Sequence, residues 1–252
     1  MILLIGNWKM APEKASDALS LAKKTLAIAR TYKKIGVAVC VPTIHLPFIT
    51  KQSKKTLAVG AQGVAAMSEI AQTGLVSAGM LKSYGAQYCI VGHSESRARG
   101  ETDEQVALSA ELLLQKKIIP IVCVGEKERD AHGWYLSTVK EQVEKVVTSI
   151  PKAQLKQLVI AYEPVWAIGK NAVREATPVE CREMVIFIRK VIADALGEKE
   201  SQKVTILYGG SVNEQNAAAF VSEGGAQGFL VGRVSLDARR FAMLAKNIAL
   251  LA

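Results

Sequence analysis

Hydrophobic and polar positions follow two repeating patterns along this chain. Short, β-branched and almost wholly apolar runs alternate with longer segments in which apolar residues recur at helical spacing. Eight apolar runs occur: ILLIGNW, IGVAVCVP, TLAVGAQ, QYCIVGHS, KIIPIVCVGE, QLVIAYEP, KVTILYGG and QGFLVG. Strands that are apolar on both faces, each followed by a helix that can cross back to a parallel neighbour, are typical of a buried parallel sheet.

The segments between these runs predict the helices. They are KASDALSLAKKTLAIAR, HLPFITKQ, VSAGMLKSY, TDEQVALSAELLLQK, WYLSTVKEQVEKVVTSI, TPVECREMVIFIRKVIADAL, NEQNAAAFVSE and SLDARRFAMLAKNIALL. Eight strand and helix units in 252 residues predict an α/β protein with a closed (β/α)8 barrel, in a single domain over residues 1–252. A doubly wound open sheet is the alternative that the same alternation allows.

Composition limits the classes of protein further. Half of the residues are hydrophobic, so the chain can bury one sizeable core. No apolar run is long enough to span a membrane, and MILLIGNWKM reaches polar residues too early for a secretory signal. We therefore expect a soluble cytoplasmic protein that has no membrane partner. The cysteines are widely spaced and are expected to be reduced core residues: Cys40, Cys89, Cys123 and Cys181.

The chain is basic, with 32 Lys and Arg against 23 Asp and Glu and a formal net charge of +9. The lysines are scattered through helical segments such as KKTLAIARTYKK rather than gathered in a tail. This distribution favours a solvated helix surface over a nucleic-acid patch, so no nucleic-acid partner is expected. A weak field that attracts small anionic substrates is a further interpretation.

Polar residues follow the predicted strands, where the loops of a barrel share the face that carries the chemistry. They are Asn7 and Lys9 after the first strand, His93 and Glu95 after the fourth, Glu126 after the fifth, Glu163 after the sixth, Ser211 after the seventh and Gly232 after the eighth. Each alone has an ordinary explanation, such as solvated surface or a hydrogen-bonded core position. Their convergence on one rim is what indicates a site.

A carboxylate opposite a histidine and a lysine suits proton abstraction next to a carbonyl, with a base, an electrophile and a countercharge for an enediolate. The sequence has no HExxH, GxSxG, GxGxxG or P-loop, so no metal or other cofactor is expected. Glycines in YGGS and VGR follow the last two strands, where exposed backbone N–H groups could hold a phosphate. Ordinary tight turns are the alternative interpretation of these glycines.

Six segments occur in a characteristic order: GNWKM, VGHSES, CVGE, AYEPVWAIGK, YGGSV and FLVGRVSL. Together they resemble the triosephosphate isomerase family almost end to end, from Ile5 to Ala249. The resemblance implies a TIM barrel that forms a homodimer. It implies a cofactor-independent enzyme of glycolysis and gluconeogenesis that interconverts dihydroxyacetone phosphate and D-glyceraldehyde 3-phosphate through an enediolate. A barrel that binds phosphorylated ligands or protein partners without turnover is the alternative from another class.

The resemblance also implies roles for the catalytic residues. Glu163 is the base that moves a proton between two substrate carbons, and His93 is the neutral electrophile that polarises the carbonyl. Lys9 is the cation beside the enediolate. Asn7 helps to hold the substrate oxygen, and Glu95 anchors the lysine.

The resemblance places the phosphate on backbone N–H groups of Gly169, Ser211, Gly232 and Arg233. Leu230 is implied to be an apolar wall beside the base, where desolvation raises basicity. These residues lie after the last three strands, on loops that would surround one end of the substrate.

Further residues are implied to support the site. Ser94 holds Glu163 when no substrate is bound, and Tyr208 and Ser211 latch a closing lid. The rigid stretch after Glu163, beginning at a proline, would transmit the lid movement to the base. Thr73 is implied to reach into the active site of the partner subunit.

The chain departs from the family pattern at four places. Arg233 stands where the family usually has a second glycine, and KNAVRE makes the lid two residues longer after Gly169. Leu75 and Ser96 replace the Glu and Arg that the resemblance implies for an ion pair between subunits, which predicts a more apolar dimer contact. The extra lid residues are expected to form a bulge or helical turn.

A helix is predicted to begin directly after the lid. Thr177 is the expected N-cap, with Pro178 at the first helical position and Glu180 completing a capping box.

Overall fold

The computed structural model describes residues 1–53, 56–68, 71–130, 132–169, 172 and 174–252. In these residues, parallel strands form a closed barrel in chain order, which confirms the (β/α)8 TIM barrel and excludes the open sheet. The strands are β1 Leu3–Asn7, β2 Gly36–Cys40, β3 Ala58–Ala61, β4 Tyr88–Val91, β5 Ile119–Val124, β6 Val159–Tyr162, β7 Thr205–Tyr208 and β8 Gly228–Val231. That residues 1–252 form one domain stays a prediction.

Every segment that the sequence predicts to be helical contains a helix. The structure also has helical turns that are too short to show a helical period in the sequence. The α-helices are α1 Ala15–Thr31, α2 Leu46–Ser53, α3 Ala78–Ser83, α4 Ser94–Arg97, α5 Asp103–Gln115, α6 Trp134–Ser149, α7 Pro178–Leu196, α8 Glu198–Ser201, α9 Ala217–Ser222 and α10 Ala238–Ala249. The 3₁₀ turns are Thr43–His45, Lys152–Gln157, Val165–Ala167 and Arg233–Leu236. None of the described helices is long and apolar enough to cross a membrane.

The apolar strand residues divide into two packed layers because successive side chains on a strand point to opposite faces. In β1, Leu3 and Ile5 join a small cluster inside the barrel, whereas Leu4 joins the larger cluster between strands and helices. The free cysteines are all buried, as expected. Burial raises the pKa of Cys89 and of Cys181 to about 12, so these side chains remain thiols.

The barrel closes where the last strand meets the first. Leu3 pairs with Gly228, and the register continues to Gly6 and Val231. Gly228 has φ +148, and a Cβ atom built on it would lie 1.9 Å from the carbonyl oxygen of Leu3. This contact requires glycine at the seam.

The start of α7 is built as the sequence predicts. The Thr177 hydroxyl accepts from the Glu180 N–H at 3.2 Å, and the Glu180 carboxylate accepts from the Thr177 N–H at 2.8 Å. The capping box is therefore confirmed, with Pro178 in the first turn. Arg174 also contacts the Glu180 carboxylate, at 2.5 Å, and chiefly this hydrogen bond lowers the pKa of Glu180 to about 2.

Candidate active site

A cavity of about 510 Å³ opens at the carboxyl ends of the strands. Most of the residues expected in the site line it, including Asn7, Lys9, His93, Glu163, Gly169, Ser211, Leu230, Gly232 and Arg233. Because the carboxyl ends of parallel strands lie on one face of a barrel, residues separated by more than two hundred positions share this cavity.

Glu163 and His93 face each other in the cavity. The Glu163 side chain is buried, and its Oε1 lies 3.2 Å from Nε2 of His93. Its Oε2 accepts a hydrogen bond of 2.9 Å from the backbone N–H of Ser94. The carboxylate is thus held at the start of α4, where the helix end favours negative charge. Ser94 makes this contact through its backbone.

The His93 ring has a defined arrangement of donor and acceptor. Its Nδ1 accepts from the Glu95 N–H at 3.1 Å, so that the side chain caps α4. A ring nitrogen that accepts a hydrogen bond carries no proton, and this pattern assigns the proton to Nε2. The neutral tautomer therefore presents an N–H to Glu163 and to the cavity.

Lys9 has φ 50, a left-handed backbone conformation that is uncommon for a residue with a side chain. Its backbone N–H donates to Oδ1 of the buried Asn7 at 3.0 Å, which stabilises the turn. Its ammonium pairs with Glu95 at 2.5 Å. Burial alone would raise the pKa of Glu95, but the hydrogen bond and charge of Lys9 outweigh it and lower that pKa.

Two glycines bring backbone close to Glu163 and were not singled out for this role in the sequence. A Cβ atom on Gly125 would lie 1.8 Å from the Glu163 carbonyl oxygen. A Cβ atom on Gly209 would lie 3.0 Å from Cγ of Glu163. Both glycines belong to segments that were noted in the sequence, CVGE and YGGS. Their close approach to Glu163 could not be predicted, because it depends on how β5, β6 and β7 align.

Glu126 does not line the cavity, although the sequence placed it on the same rim. It is buried, and its Oε1 accepts from the Tyr162 hydroxyl at 2.8 Å, from Trp166 Nε1 at 2.7 Å and from Arg129 Nε at 3.2 Å. Sequence reasoning missed this cluster because its members come from separate strand ends. The cluster fixes Trp166, which lies in the rigid stretch that precedes the expected lid.

The 3₁₀ turn Val165–Ala167 joins the rigid stretch after Glu163 to the expected lid. The Ser211 hydroxyl donates to the Ala167 carbonyl oxygen at 2.9 Å, and Gly169 has φ +82, which favours glycine. The guanidinium of Arg174 lies 4.6 Å from the centre of the Trp166 ring. Lys170, Asn171 and Val173 lie outside the described residues, and so does the expected bulge or helical turn that includes them.

Tyr208 is fully buried and does not line the cavity. Its ring stacks on Phe220 with centroids 4.1 Å apart, and burial raises its pKa. Its hydroxyl has no hydrogen-bond partner in the described part of the chain, and a Cβ atom on Gly210 would lie 2.2 Å from it. The hydroxyl is therefore close to the backbone that follows β7.

The structure does not bring Thr73 into the cavity. Thr73 is exposed in the connection between β3 and α3, beside Leu75, which is 46% exposed. The hydroxyl of Ser96 accepts from Nη2 of Arg99 at 3.0 Å. None of Thr73, Leu75 and Ser96 lines the cavity.

The fold and the cavity together define a barrel enzyme that transfers protons next to a carbonyl. A buried carboxylate, an imidazole ring and an ammonium group meet at the carboxyl ends of the strands. Within the described residues, no group of three or more His, Cys, Asp or Glu side chains is placed to hold a metal ion.

Comparison with known proteins agrees with this class. The family model described as Triosephosphate isomerase matches residues 2–248. The chain is 39% identical to a triosephosphate isomerase of Corynebacterium efficiens, covering 98% of this chain and 96% of the relative. It is 39% identical to that of Delftia acidovorans, over 95% of both chains, and 38% identical to that of Methylococcus capsulatus, over 98% of both. The chain belongs to the triosephosphate isomerase family.

Proposed function

We propose that this protein interconverts dihydroxyacetone phosphate and D-glyceraldehyde 3-phosphate, as an enzyme of glycolysis and gluconeogenesis. The observation that carries the proposal is the facing pair of Glu163 and His93, with Oε1 and Nε2 3.2 Å apart in the cavity. One group can accept a proton from carbon, and the other can donate a hydrogen bond to the adjacent carbonyl oxygen.

In the proposed reaction, Glu163 removes a proton from C1 of dihydroxyacetone phosphate, and the electron pair of the broken C–H bond forms the enediolate double bond. The neutral His93 ring donates from Nε2 to the substrate oxygens and moves a proton between them. Glu163 then returns its proton to C2, so that no proton is gained or lost overall. The ammonium of Lys9 and the amide of Asn7 stabilise the oxygen that becomes negative.

Glu163 must move before it can act. Both of its carboxylate oxygens are engaged in this structure, one near His93 and one on the Ser94 N–H. The residues that follow Glu163 are fixed to Glu126 through Trp166. A movement of the lid would therefore turn the backbone next to Glu163 and re-aim its carboxylate. The base and the lid are thus proposed to move together.

The remaining residues are proposed to hold the substrate. Backbone N–H groups of Gly169, Ser211, Gly232 and Arg233 bind the phosphate, at the side of the cavity formed after β6, β7 and β8. Leu230 is 3% exposed and lies in the cavity wall, where it excludes water from the base. Glu95 keeps the Lys9 ammonium in place.

A coupled assay tests the proposed reaction. With dihydroxyacetone phosphate and glyceraldehyde 3-phosphate dehydrogenase in excess, NADH should form at a rate proportional to the concentration of this protein. The reverse reaction should be equally detectable through glycerol 3-phosphate dehydrogenase. Binding of the triose phosphate without turnover in either direction would instead favour the non-catalytic barrel.

His93 is expected to carry its ring proton on Nε2, with Nδ1 unprotonated. Its Nδ1 accepts the Glu95 N–H, and this bond would be lost if Nδ1 were protonated. Nitrogen-15 NMR of the labelled imidazole should show one protonated and one unprotonated nitrogen at pH 7. An imidazolium spectrum at that pH would contradict the assignment.

A homodimer is proposed because several of the large apolar side chains that are exposed lie on the segments that follow the first three strands. They are Met10 at 94%, Ile44 at 76%, Phe48 at 52%, Leu75 at 46% and Met80 at 53%. Exposed apolar residues concentrated on one part of a surface mark contacts with other chains. Thr73 lies in the same region and would reach the partner's cavity.

Dimer association is expected to depend only weakly on salt, since Leu75 and Ser96 cannot form an ion pair. Sedimentation equilibrium at low and high salt should give dissociation constants within about threefold of each other. Leu75→Glu should weaken association, while Leu108→Glu, at an exposed position on α5, is the matched control. A fully active monomer at micromolar concentration would contradict the proposal.

The cytoplasm is the proposed location. The free, buried cysteines suit a reducing compartment. Fractionation of cells that make the protein should recover the isomerase activity with cytoplasmic markers.

A further inference from the structure

Three cationic side chains line the cavity, and they differ in their partners. Lys9 pairs with Glu95, and Arg240 pairs with Glu214 through contacts of 3.1 Å and 3.3 Å. Arg233 makes no ion pair or side-chain hydrogen bond with any described residue. Glu175 also lines the cavity, but it forms no ion pair with Arg233.

The backbone below Arg233 is well held, whereas its side chain is exposed. Arg233 is the first residue of the 3₁₀ turn Arg233–Leu236. In this turn Val234 and Ser235 are buried, and the Ser235 hydroxyl donates to the Gly232 carbonyl oxygen at 2.7 Å. The guanidinium is thus attached to a fixed point at the cavity wall and keeps its own rotational freedom.

The position of this fixed point is close to the reacting groups. A Cβ atom built on Gly232 would lie 3.6 Å from Cε of Lys9. Ser211 and Gly169 line the same cavity. Arg233 therefore extends from the loop that, with these residues, is proposed to surround the substrate phosphate.

We infer that the Arg233 side chain binds the phosphate dianion of the substrate directly, in addition to the backbone N–H of the same residue. The inference rests on the proposed function, because it concerns the substrate of that reaction. Guanidinium groups form paired, charge-assisted hydrogen bonds with phosphate oxygens. A glycine at this position could offer the N–H alone, so this chain adds a positive charge to a site otherwise made of backbone dipoles.

Many exposed arginines have no function beyond solubility, and Arg239 provides the comparison within this chain. Arg239 is also exposed and has no ion pair in the described residues, but it does not line the cavity. Arg233 differs in its place, beside the groups expected to hold the phosphate. Its charge should also make the enzyme bind inorganic phosphate, which would compete with the substrate.

The test uses Arg233→Gln and Arg233→Lys, with Arg239→Gln as the matched control for loss of a surface charge. Calorimetry with inorganic phosphate gives a Kd for each protein, and steady-state assays give KM and kcat. For Arg233→Gln we expect Kd and KM to rise about tenfold with a much smaller change in kcat, because ground state and transition state carry the same phosphate. Arg233→Lys should recover part of the loss.

A third variant, Arg233→Gly, separates charge from backbone conformation. It lacks the guanidinium but keeps the N–H, so its Kd for phosphate should match that of Arg233→Gln. Phosphate binding by Arg233→Gly as tight as in the parent would overturn the inference, as would equal Kd values for Arg233→Gln and Arg239→Gln. If the parent binds phosphate through Arg233 but has no isomerase activity, the anion site stands and the proposed function fails.

Discussion

Glu163→Gln is expected to lower kcat by about a thousandfold or more while the protein keeps its fold, because a general base contributes about 10²- to 10⁴-fold and here also moves the proton back. The amide has nearly the shape of the carboxylate, and its oxygen can still accept from the Ser94 N–H. It cannot accept a proton from carbon. Steady-state kinetics in both directions, with circular dichroism as the check on folding, measure the effect.

Glu175→Gln is the matched control for this substitution. Glu175 lines the same cavity, so the change removes an equal charge without touching the proposed base. Its kcat should stay within about tenfold of the parent. Retention of comparable activity by Glu163→Gln would show that another group is the base.

Deleting residues 167–170 is expected to have the second largest effect, and it should change the products as well as the rate. An enediolate phosphate can expel its phosphate to give methylglyoxal unless the dianion is held and water is excluded. Loss of the lid should lower kcat by about a hundredfold or more, since small errors in positioning already cost that much. The amounts of inorganic phosphate and methylglyoxal released per isomerisation measure how often the enediolate eliminates its phosphate instead of completing the isomerisation.

Ser211→Ala provides a graded comparison for the deletion. It removes only the hydroxyl that donates to the Ala167 carbonyl oxygen, so elimination should rise less than in the deletion. The parent should isomerise with little elimination despite its longer lid. A parent that releases as much methylglyoxal as the deletion would show that the lid does not close and that Gly169 does not bind the phosphate.

Much of the barrel could be predicted because its strands are buried on both faces. This burial makes each strand a run such as TILY or GFLV, and the helices that cover the strands carry an apolar stripe. The short helix α8 escaped prediction, since four residues cannot display a helical period. The capping box at Thr177 was predictable because all of its contacts are local.

The candidate site divides in a similar way. Side chains with reactive groups at strand ends, such as Glu163 and His93, could be located from the sequence. The cluster on Glu126 could not, because it joins side chains that only the closed barrel brings together. The need for glycine at Gly125 also depends on contact with another strand, and no property of its neighbours in sequence reveals it.

The seam between β1 and β8 has a consequence for synthesis of the chain on the ribosome. β1 at Leu3–Asn7 is made well before its partner at Gly228–Val231, because more than two hundred residues separate the two strands along the chain. Until that segment emerges, one edge of β1 has unpaired backbone groups, which can pair with other chains. The barrel cannot close while the residues between these strands are being made, and chaperones that cover strand edges would act at that stage.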